Sequence, residues 1–501
     1  MVDSASATKP ESGGRIWLAT LVIVALCLVV RLVALGADPP AWLSWSRGLY
    51  TDEGFYSLDA RHHVLFGGWA PGDFHDRMVS PFLTAMQIGF FNLNGATRET
   101  ARSVSVVCSF VTLLLLWSAT RMERGGRAAA AGLAFLGLVP LYALYNRLAL
   151  QETPAAMLLA ASFACASTAS SRSAASCRKA EICWCLSGLF LAGVVTVKSL
   201  GLIALPGLAV ASWVSSRSIK YHRSKGAAAS GFIAGIALYA VGWWVPHHAD
   251  LARMNNYYLT HQVLPHALSS IGLNVRRFAI DLDRGTLPFL AAVAPIPVLL
   301  CLGWFWDHRR PAAIKKALPA EIYAAIWLVT GLAAFAFSNY APSRYDVLIL
   351  PPLCYLAALR WSLLKRQAQW ISVALFLVSS GIWYGRYWTK MTFTEVAASD
   401  QMALKAAGGS LALGDMAPQI CLGTSIKAAP WQYGLSNYQA PMERLQPDIL
   451  VIGRQPAWRS WWALNEPELI RPENYLGSIA IGTTLECITD LYRGHPKNKA
   501  R

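Results

Sequence analysis

Roughly eleven apolar runs, each near the ~20 residues that a helix needs to cross the hydrocarbon core of a bilayer, constrain this chain more than any other feature. They are Ile16–Leu35, Val104–Thr120, Ala128–Tyr145, Pro154–Ala169, Ile182–Val197, Ser199–Val214, Ala227–Val245, Thr286–Trp306, Ile322–Phe337, Val347–Trp361 and Trp370–Tyr387. With 55% hydrophobic residues among 501, the chain is too apolar for an ordinary soluble protein and too long for one compact domain. The expectation is a mainly α, polytopic membrane protein of about eleven transmembrane helices.

A formal charge of +16 would suggest nucleic acid in a soluble protein, but its placement points elsewhere. Basic clusters fall in alternate connections: Arg121, Arg124 and Arg127; Arg172, Arg178 and Lys179; Arg217, Lys220, Arg223 and Lys225; Arg309, Arg310, Lys315 and Lys316; Arg360, Lys365 and Arg366. By the positive-inside rule those loops are cytoplasmic. The 36–80 loop, Pro246–Gly285, Ser338–Asp346 and everything after Tyr387 then face outward, and no nucleic-acid partner is expected. Ile16–Leu35 carries Arg31 and lacks a small-residue cleavage site, so it reads as a permanent first helix rather than a signal peptide. The implied location is a plasma (inner) membrane, multi-pass, with the N-terminus cytoplasmic and the C-terminal region extracytoplasmic.

Three segments follow from these boundaries. Residues 1–14 are Ser-, Ala- and Gly-rich and expected to be disordered on the cytoplasmic side. Residues 15–390 hold the spans, with outer loop 36–80. Within that loop Glu53–Phe66 has the spacing of an amphipathic helix, Phe55, Leu58, His62 and Leu65, stopped by Gly67-Gly68 and expected to lie along the interface. Pro81–Gly95 reads as a second interfacial helix. In 391–501 hydropathy falls and the period changes: Thr392–Ala407 reads as a helix, and Leu411–Gly414, Asp448–Gly453, Tyr475–Ile481 and Leu485–Tyr492 as strands of a small α/β unit. The Trp458–Trp462 cluster suits either a lipid interface or the interior of that unit. Of the ten cysteines, only Cys421 and Cys487 fall in the outward tail, where a disulfide between them is permitted but not dictated by spacing.

Ionised groups beside hydrocarbon are costly and mark pathways or chemistry. Asp52 and Glu53, flanked by Tyr50, Phe55 and Tyr56, are the candidate catalytic acids, since burial there would push a carboxylate toward a general base. The plainer alternative is an acidic first helical turn after Thr51 as cap. Lys198 interrupts an apolar stretch, Arg147 starts Arg-Leu-Ala-Leu-Gln-Glu-Thr-Pro154, and Arg344 starts Arg-Tyr-Asp, where Tyr345 can also donate. These cations could neutralise a phosphate at the outer face, or else snorkel or pair structurally, as Arg147 could with Glu152. His62-His63, His75 and His247-His248 lack metal-ligand spacing, so no metal is expected.

Taken in order, these motifs resemble those of the GT-C glycosyltransferases, in the protein O-mannosyltransferase-like group that includes bacterial aminoarabinose and galacturonic acid transferases. Arg31, Asp52-Glu53 opening a helix, Gly67-Gly68-Trp69, Arg147 to Pro154, Val197-Lys198-Ser-Leu-Gly201 and Arg344-Tyr345 with Pro351-Pro352 carry the likeness over about the first 390 residues. The resemblance implies a GT-C-like fold and inverting transfer of a sugar from a polyprenyl-phosphate donor to an acceptor hydroxyl of a membrane lipid, glycan or protein, with no metal or other cofactor. Asp52 would deprotonate the acceptor while Lys198, Arg344, Tyr345 and Arg147 hold the donor phosphate; Glu152 would be an acceptor-side or structural residue. Where the family often has Lys-Pro-Pro, this chain runs Asp76-Arg77-Met78-Val79-Ser80-Pro81, and Arg77 is the candidate substitute for that Lys. A secondary transporter would need acids within the spans and inverted repeats, neither of which is found. A scaffold with a binding tail would leave the Asp-Glu loop unexplained.

Overall fold

The computed structural model describes residues 13–43, 52–171, 177–217, 222–258, 271–281, 286–310, 317–338, 340–431, 440–454, 456–481 and 488–494. Among these residues 8 helices are long and apolar enough to cross a membrane, or 9 if Thr286–Val293 and Pro295–Asp307, bent by 112°, form one broken span. The protein is a multi-pass membrane protein. The count falls below the eleven apolar runs for identifiable reasons. Val104–Thr120 and Ala128–Tyr145 share the helix Arg98–Leu138, broken at Gly125, whose φ of 82° and ψ of 179° lie outside helical space and are tolerated because glycine has no Cβ. Val347–Trp361 becomes a 13-residue helix, Leu350–Ser362, too short by itself.

That short helix lies at the centre of the bundle. Every residue from Leu350 to Leu359 is buried, as expected for a helix apolar all round, and it packs on Arg98–Leu138 and Pro295–Asp307. Arg31 is also fully buried and ties the first helix to its neighbours, donating to Ser109 Oγ (3.1 Å), to the Cys27 carbonyl (3.1 Å) and to the Gly137 carbonyl (2.8 Å).

The C-terminal region holds a 5-stranded sheet of order β2-β1-β3-β5-β4, made of β1 Leu411–Gly414, β2 Lys427–Pro430, β3 Ile449–Gly453, β4 Tyr475–Ala480 and β5 Ile488–Arg493. β1 runs parallel to β2 and β3, and β5 is antiparallel to both β3 and β4. All five residues of central β3 are buried, because both faces of the sheet are covered. One face packs on Ala398, Met402, Ile420 and Cys421 of the flanking helices Thr394–Lys405 and Ala417–Cys421; the other packs on Trp431, Trp462 and Leu469. Trp462 is therefore an interior side chain. β2 carried no strand signal, since Ala-Ala-Pro has low strand propensity and only an edge position admits the proline. Residues 1–12 and Cys487 lie outside the described residues, and with them the expectations for the N-terminal segment and for the Cys421–Cys487 pairing.

The helix Asp52–Phe66 does not lie open along an interface. Glu53, Gly54, Ser57, Leu58, Asp59, Ala60, Arg61 and His62 are all buried, and Leu58 belongs to the same apolar cluster as Ile420 and Val451. The helix is held between the bundle and the C-terminal sheet unit, because its polar residues find buried partners on both sides.

Candidate active site

The first turn of the Asp52–Phe66 helix sends its two acids to different places. Asp52, with a side chain 31% exposed, ion-pairs with Nη1 of Arg344. Arg344 is 9% exposed; its Nη2 donates to the Tyr340 hydroxyl (3.2 Å) and its Nε stands 3.1 Å from Glu152 Oε1. Lys198 Nζ donates to the same Glu152 oxygen at 2.6 Å and lies 4.4 Å from the centre of the Tyr345 ring. One row of alternating charge thus runs Asp52, Arg344, Glu152, Lys198, edged by two tyrosines. Burial would lower the Lys198 ammonium, but Glu152 and Tyr345 outweigh it and hold the amine charged, above its ordinary range.

Local geometry explains why these residues meet. Lys198 is in extended backbone between the turns Val194–Thr196 and Ser199–Ala204, which interrupt the apolar stretch. Arg344 lies in the single turn Ser343–Leu348 after Pro342, and Glu152 is the first residue of Glu152–Ser170. Lys198 and Arg344 belong to connections between helices and Glu152 opens one, so all three stand where the chain enters or leaves the bundle and can point side chains at one another.

Glu53, expected to share the chemistry of Asp52, is placed otherwise. It is fully buried, accepting from Arg102 Nε (2.8 Å) and the Ala149 amide (2.8 Å) on Oε1 and from Arg102 Nη2 (2.6 Å) on Oε2. Arg102 also donates through Nη1 to the carbonyls of Leu35 and Ala37, both at 2.7 Å, and through Nη2 to Glu395 Oε2 at 3.4 Å, so all its donors are engaged. Burial alone would raise the Glu53 carboxyl, but Arg102 and the Ala149 amide reverse this and keep it ionised below its usual value. The Asp38 carboxylate completes this framework by accepting from the Thr394 and Glu395 amides at 2.7 and 3.0 Å, capping the next helix.

Arg147 and Arg77 are likewise engaged away from the row. Arg147 donates to the carbonyls of Val30 (3.1 Å) and Ala34 (2.5 Å) at the end of the first helix and stacks over Tyr387, so it serves a helix C-terminus rather than pairing with Glu152. The Arg77 guanidinium lies 4.1 Å from the Trp69 ring centre, and its amide donates to Asp59 Oδ2. Beside it, Asp76 enters the site unannounced by any motif. It is buried, accepts from Gln151 Nε2 at 2.9 Å, and is pushed well above the carboxylate range by burial and by Asp59. Sequence reasoning also missed Arg102, whose i, i+4 spacing from Arg98 looks like any charged helix start. Among the described residues no group of three or more His, Cys, Asp or Glu could hold a metal ion.

A row of paired charges with one partly exposed carboxylate can bind an anion at its cations and take a proton at Asp52. No family model matches the sequence, and no curated protein matches it. Solved structures do. The chain is similar to ArnT from Cupriavidus metallidurans bound to undecaprenyl phosphate, with a TM-score of 0.68 and 15% identity over 97% of this chain and 99% of that one. It is similar to the Archaeoglobus fulgidus oligosaccharyltransferase in complex with Zn and sulfate, with a TM-score of 0.52 and 13% identity over 92% of this chain and 71% of that one. The archaeal oligosaccharyltransferase AglB from Archaeoglobus fulgidus, in complex with an inhibitory peptide and a dolichol-phosphate, aligns with a TM-score of 0.51 and 12% identity over 95% and 74% of the two chains.

Proposed function

We propose, from the GT-C fold and the charge row, that this chain is a glycosyltransferase moving a sugar from a polyprenyl-phosphate donor to an acceptor hydroxyl at the outer surface of the plasma membrane. The observation that carries the reading is the Asp52, Arg344, Glu152, Lys198 row, in which a partly exposed carboxylate shares a cation with a buried one. In this reading the donor phosphate displaces Asp52 from Arg344 and takes Lys198 as its second cation. Released from its partner, Asp52 accepts the proton of the acceptor hydroxyl. The new bond forms from that oxygen to the anomeric carbon while the bond from the anomeric carbon to phosphate oxygen breaks on the opposite side, inverting the centre. The departing phosphate keeps the electron pair and is stabilised by Arg344, Lys198 and the Tyr340 and Tyr345 hydroxyls. Glu152 holds both cations in place, and no step calls for a metal. Glu53 is a positioning residue, fixing the helix that presents Asp52.

The bound lipids of ArnT and AglB support a lipid-phosphate ligand here, and the alternation of basic loops supports an outward site. Segments 15–390 and 391–501 then serve as catalytic bundle and extracytoplasmic unit. Two measurements test the proposal. The purified protein should retain undecaprenyl phosphate in native mass spectrometry, and the corresponding free alcohol much less. Cells lacking the chain should lose one sugar from an envelope lipid, polysaccharide or protein, which names both donor and acceptor; equal retention of alcohol and phosphate, or unchanged glycan profiles, would remove the proposal.

A further inference from the structure

The first turn of a helix leaves its amides without intrahelical partners, and a side chain just ahead of the helix usually supplies an acceptor. In the Asp52–Phe66 helix the acceptor for the Gly54 amide comes from the other end of the chain. The Gly54 amide donates to Gln419 Oε1 at 2.7 Å, and the same side chain donates from Nε2 to Glu395 Oε2 at 3.0 Å. Glu395 in turn bonds Arg102, which holds Glu53 through both its oxygens. Gln419, Glu395, Arg102 and Glu53 therefore form one buried network, every member at most 1% exposed, enclosing the turn that begins with Asp52.

Two further observations show that this contact is a seat. A Cβ on Gly54 would stand 2.4 Å from the backbone of Pro418 and Gln419, so glycine is what permits the Ala417–Cys421 helix to lie against this turn. Two turns on, Arg61 Nη2 donates to the carbonyls of Thr424 (2.5 Å) and Ile426 (2.6 Å), and His62 Nε2 accepts from the Ala428 amide (3.0 Å). Positions 54, 58, 61 and 62 share one helical face, and all of it is given to the C-terminal unit, while Asp52 reaches Arg344.

We infer that the C-terminal unit is part of the catalytic apparatus, with Gln419 the positioning residue that seats the first turn of the Asp52–Phe66 helix and so aims the Asp52 carboxylate. The inference rests on the proposed role of Asp52. The Gln419 side chain bonds Gly54 and Glu395 rather than Lys198 or Arg344, so its loss turns the carboxylate while both cations keep Glu152, and it acts on turnover more than on donor affinity; a displacement near 1 Å costs about 10²-fold in rate.

The test uses the full-length protein in detergent. In Gln419→Leu, hydrogen exchange at the Gly54 amide should accelerate while the amides of Leu58 and Asp59 keep their protection. The kcat for sugar transfer should fall by about 10- to 100-fold, with donor KM within about twofold. Gln419→Glu keeps the acceptor for Gly54 but sets a second carboxyl against Glu395, which already faces the cations Arg98 (3.6 Å) and Arg102 (3.4 Å) and the acids Glu53 and Asp38. Two cations among four carboxyls leave an excess of negative charge, so this variant should retain turnover at acidic pH and lose it as pH rises and the shared proton leaves, whereas Gln419→Leu should be slow at every pH. Unchanged Gly54 exchange, a wild-type kcat in Gln419→Leu, or an equal rise in donor KM would overturn the inference. Should Gln419→Leu fail to fold, the pH profile of Gln419→Glu decides alone, and a profile matching the wild type would overturn it. Faster Gly54 exchange in a protein whose wild type transfers no sugar would support the seat and end the functional proposal, so the two failures are distinct.

Discussion

Replacing Asp52 by Asn separates chemistry from architecture. The amide keeps the size of the side chain but cannot take a proton, so the general-base contribution is lost: about 10²- to 10⁴-fold in kcat, or about 3–5 kcal/mol on the barrier. The accompanying loss of stability is small. The Asp52 side chain is 31% exposed, and Arg344 keeps Glu152 and Tyr340 when Asp52 is neutralised, so the lost ion pair is worth about 1 kcal/mol or less. Glu53→Gln is the internal comparison one residue away. It removes the principal counter-charge of fully buried Arg102, leaving only the 3.4 Å contact to Glu395, and breaking such a pair on one side costs about 3–5 kcal/mol. The assay is transfer from a labelled polyprenyl-phosphate sugar at saturating donor and acceptor, run beside thermal unfolding of the same preparations. Asp52→Asn should lose that factor of about 10²–10⁴ in turnover and unfold near the wild-type temperature, whereas Glu53→Gln should unfold well below it. Turnover of Asp52→Asn within about threefold of wild type would take Asp52 out of the mechanism, and equal unfolding losses in the two variants would refute the division of roles.

Three more outcomes follow from the same geometry. Lys198→Ala removes one charge-assisted contact to the donor phosphate, so kcat/KM for the donor should fall about tenfold or more while acceptor KM stays within about threefold; steady-state titration of each substrate separates the two. Burial and Asp59 push the Asp76 carboxyl up and so favour its neutral form, and Asn keeps the acceptor for Gln151, so Asp76→Asn should transfer at near the wild-type rate; a hundredfold loss would show that the ionised carboxylate is required. His62 is held down to about 3 by burial and the Arg61 cation, so below pH ~6.5 the unfolded chain binds a proton that the folded one refuses. Stability present at neutral pH is then lost on acidification, by about 2–3 kcal/mol on reaching pH 4.5. In His62→Gln, whose oxygen can still accept from Ala428, unfolding temperatures at pH 7 and 4.5 should draw closer together, and an undiminished gap would assign the acid sensitivity elsewhere.

Much of the candidate site was legible in the residue order because charge beside hydrocarbon is expensive. Asp52, Lys198 and Arg344 stood out as ions in or next to apolar runs, and the structure does join them. The same reasoning did not tell that Arg147 and Arg77 stand apart from the row, since a cation that serves a helix end or lies over Trp69 looks identical in sequence to one beside Glu152. It also could not separate Glu53 from Asp52: adjacent residues of a helix point about 100° apart, and which one meets Arg102 depends on the packing of Arg98–Leu138.

The amino-acid order alone determined that this chain inserts in a membrane and where its apolar runs lie, because hydropathy over a window of ~20 residues is a local property, though not which runs join or shorten into which helices. It also set the alternation of basic loops and the helical and most of the strand segments of the tail, for periodicity is local too. Only the tertiary structure decided that Glu152 stands between Lys198 and Arg344, that Glu53 is a buried anchor, and that a glutamine 365 residues away caps the first turn of the Asp52–Phe66 helix. Those contacts depend on how the chain returns on itself, and hydrogen bonds between distant residues leave no period for a sequence to display.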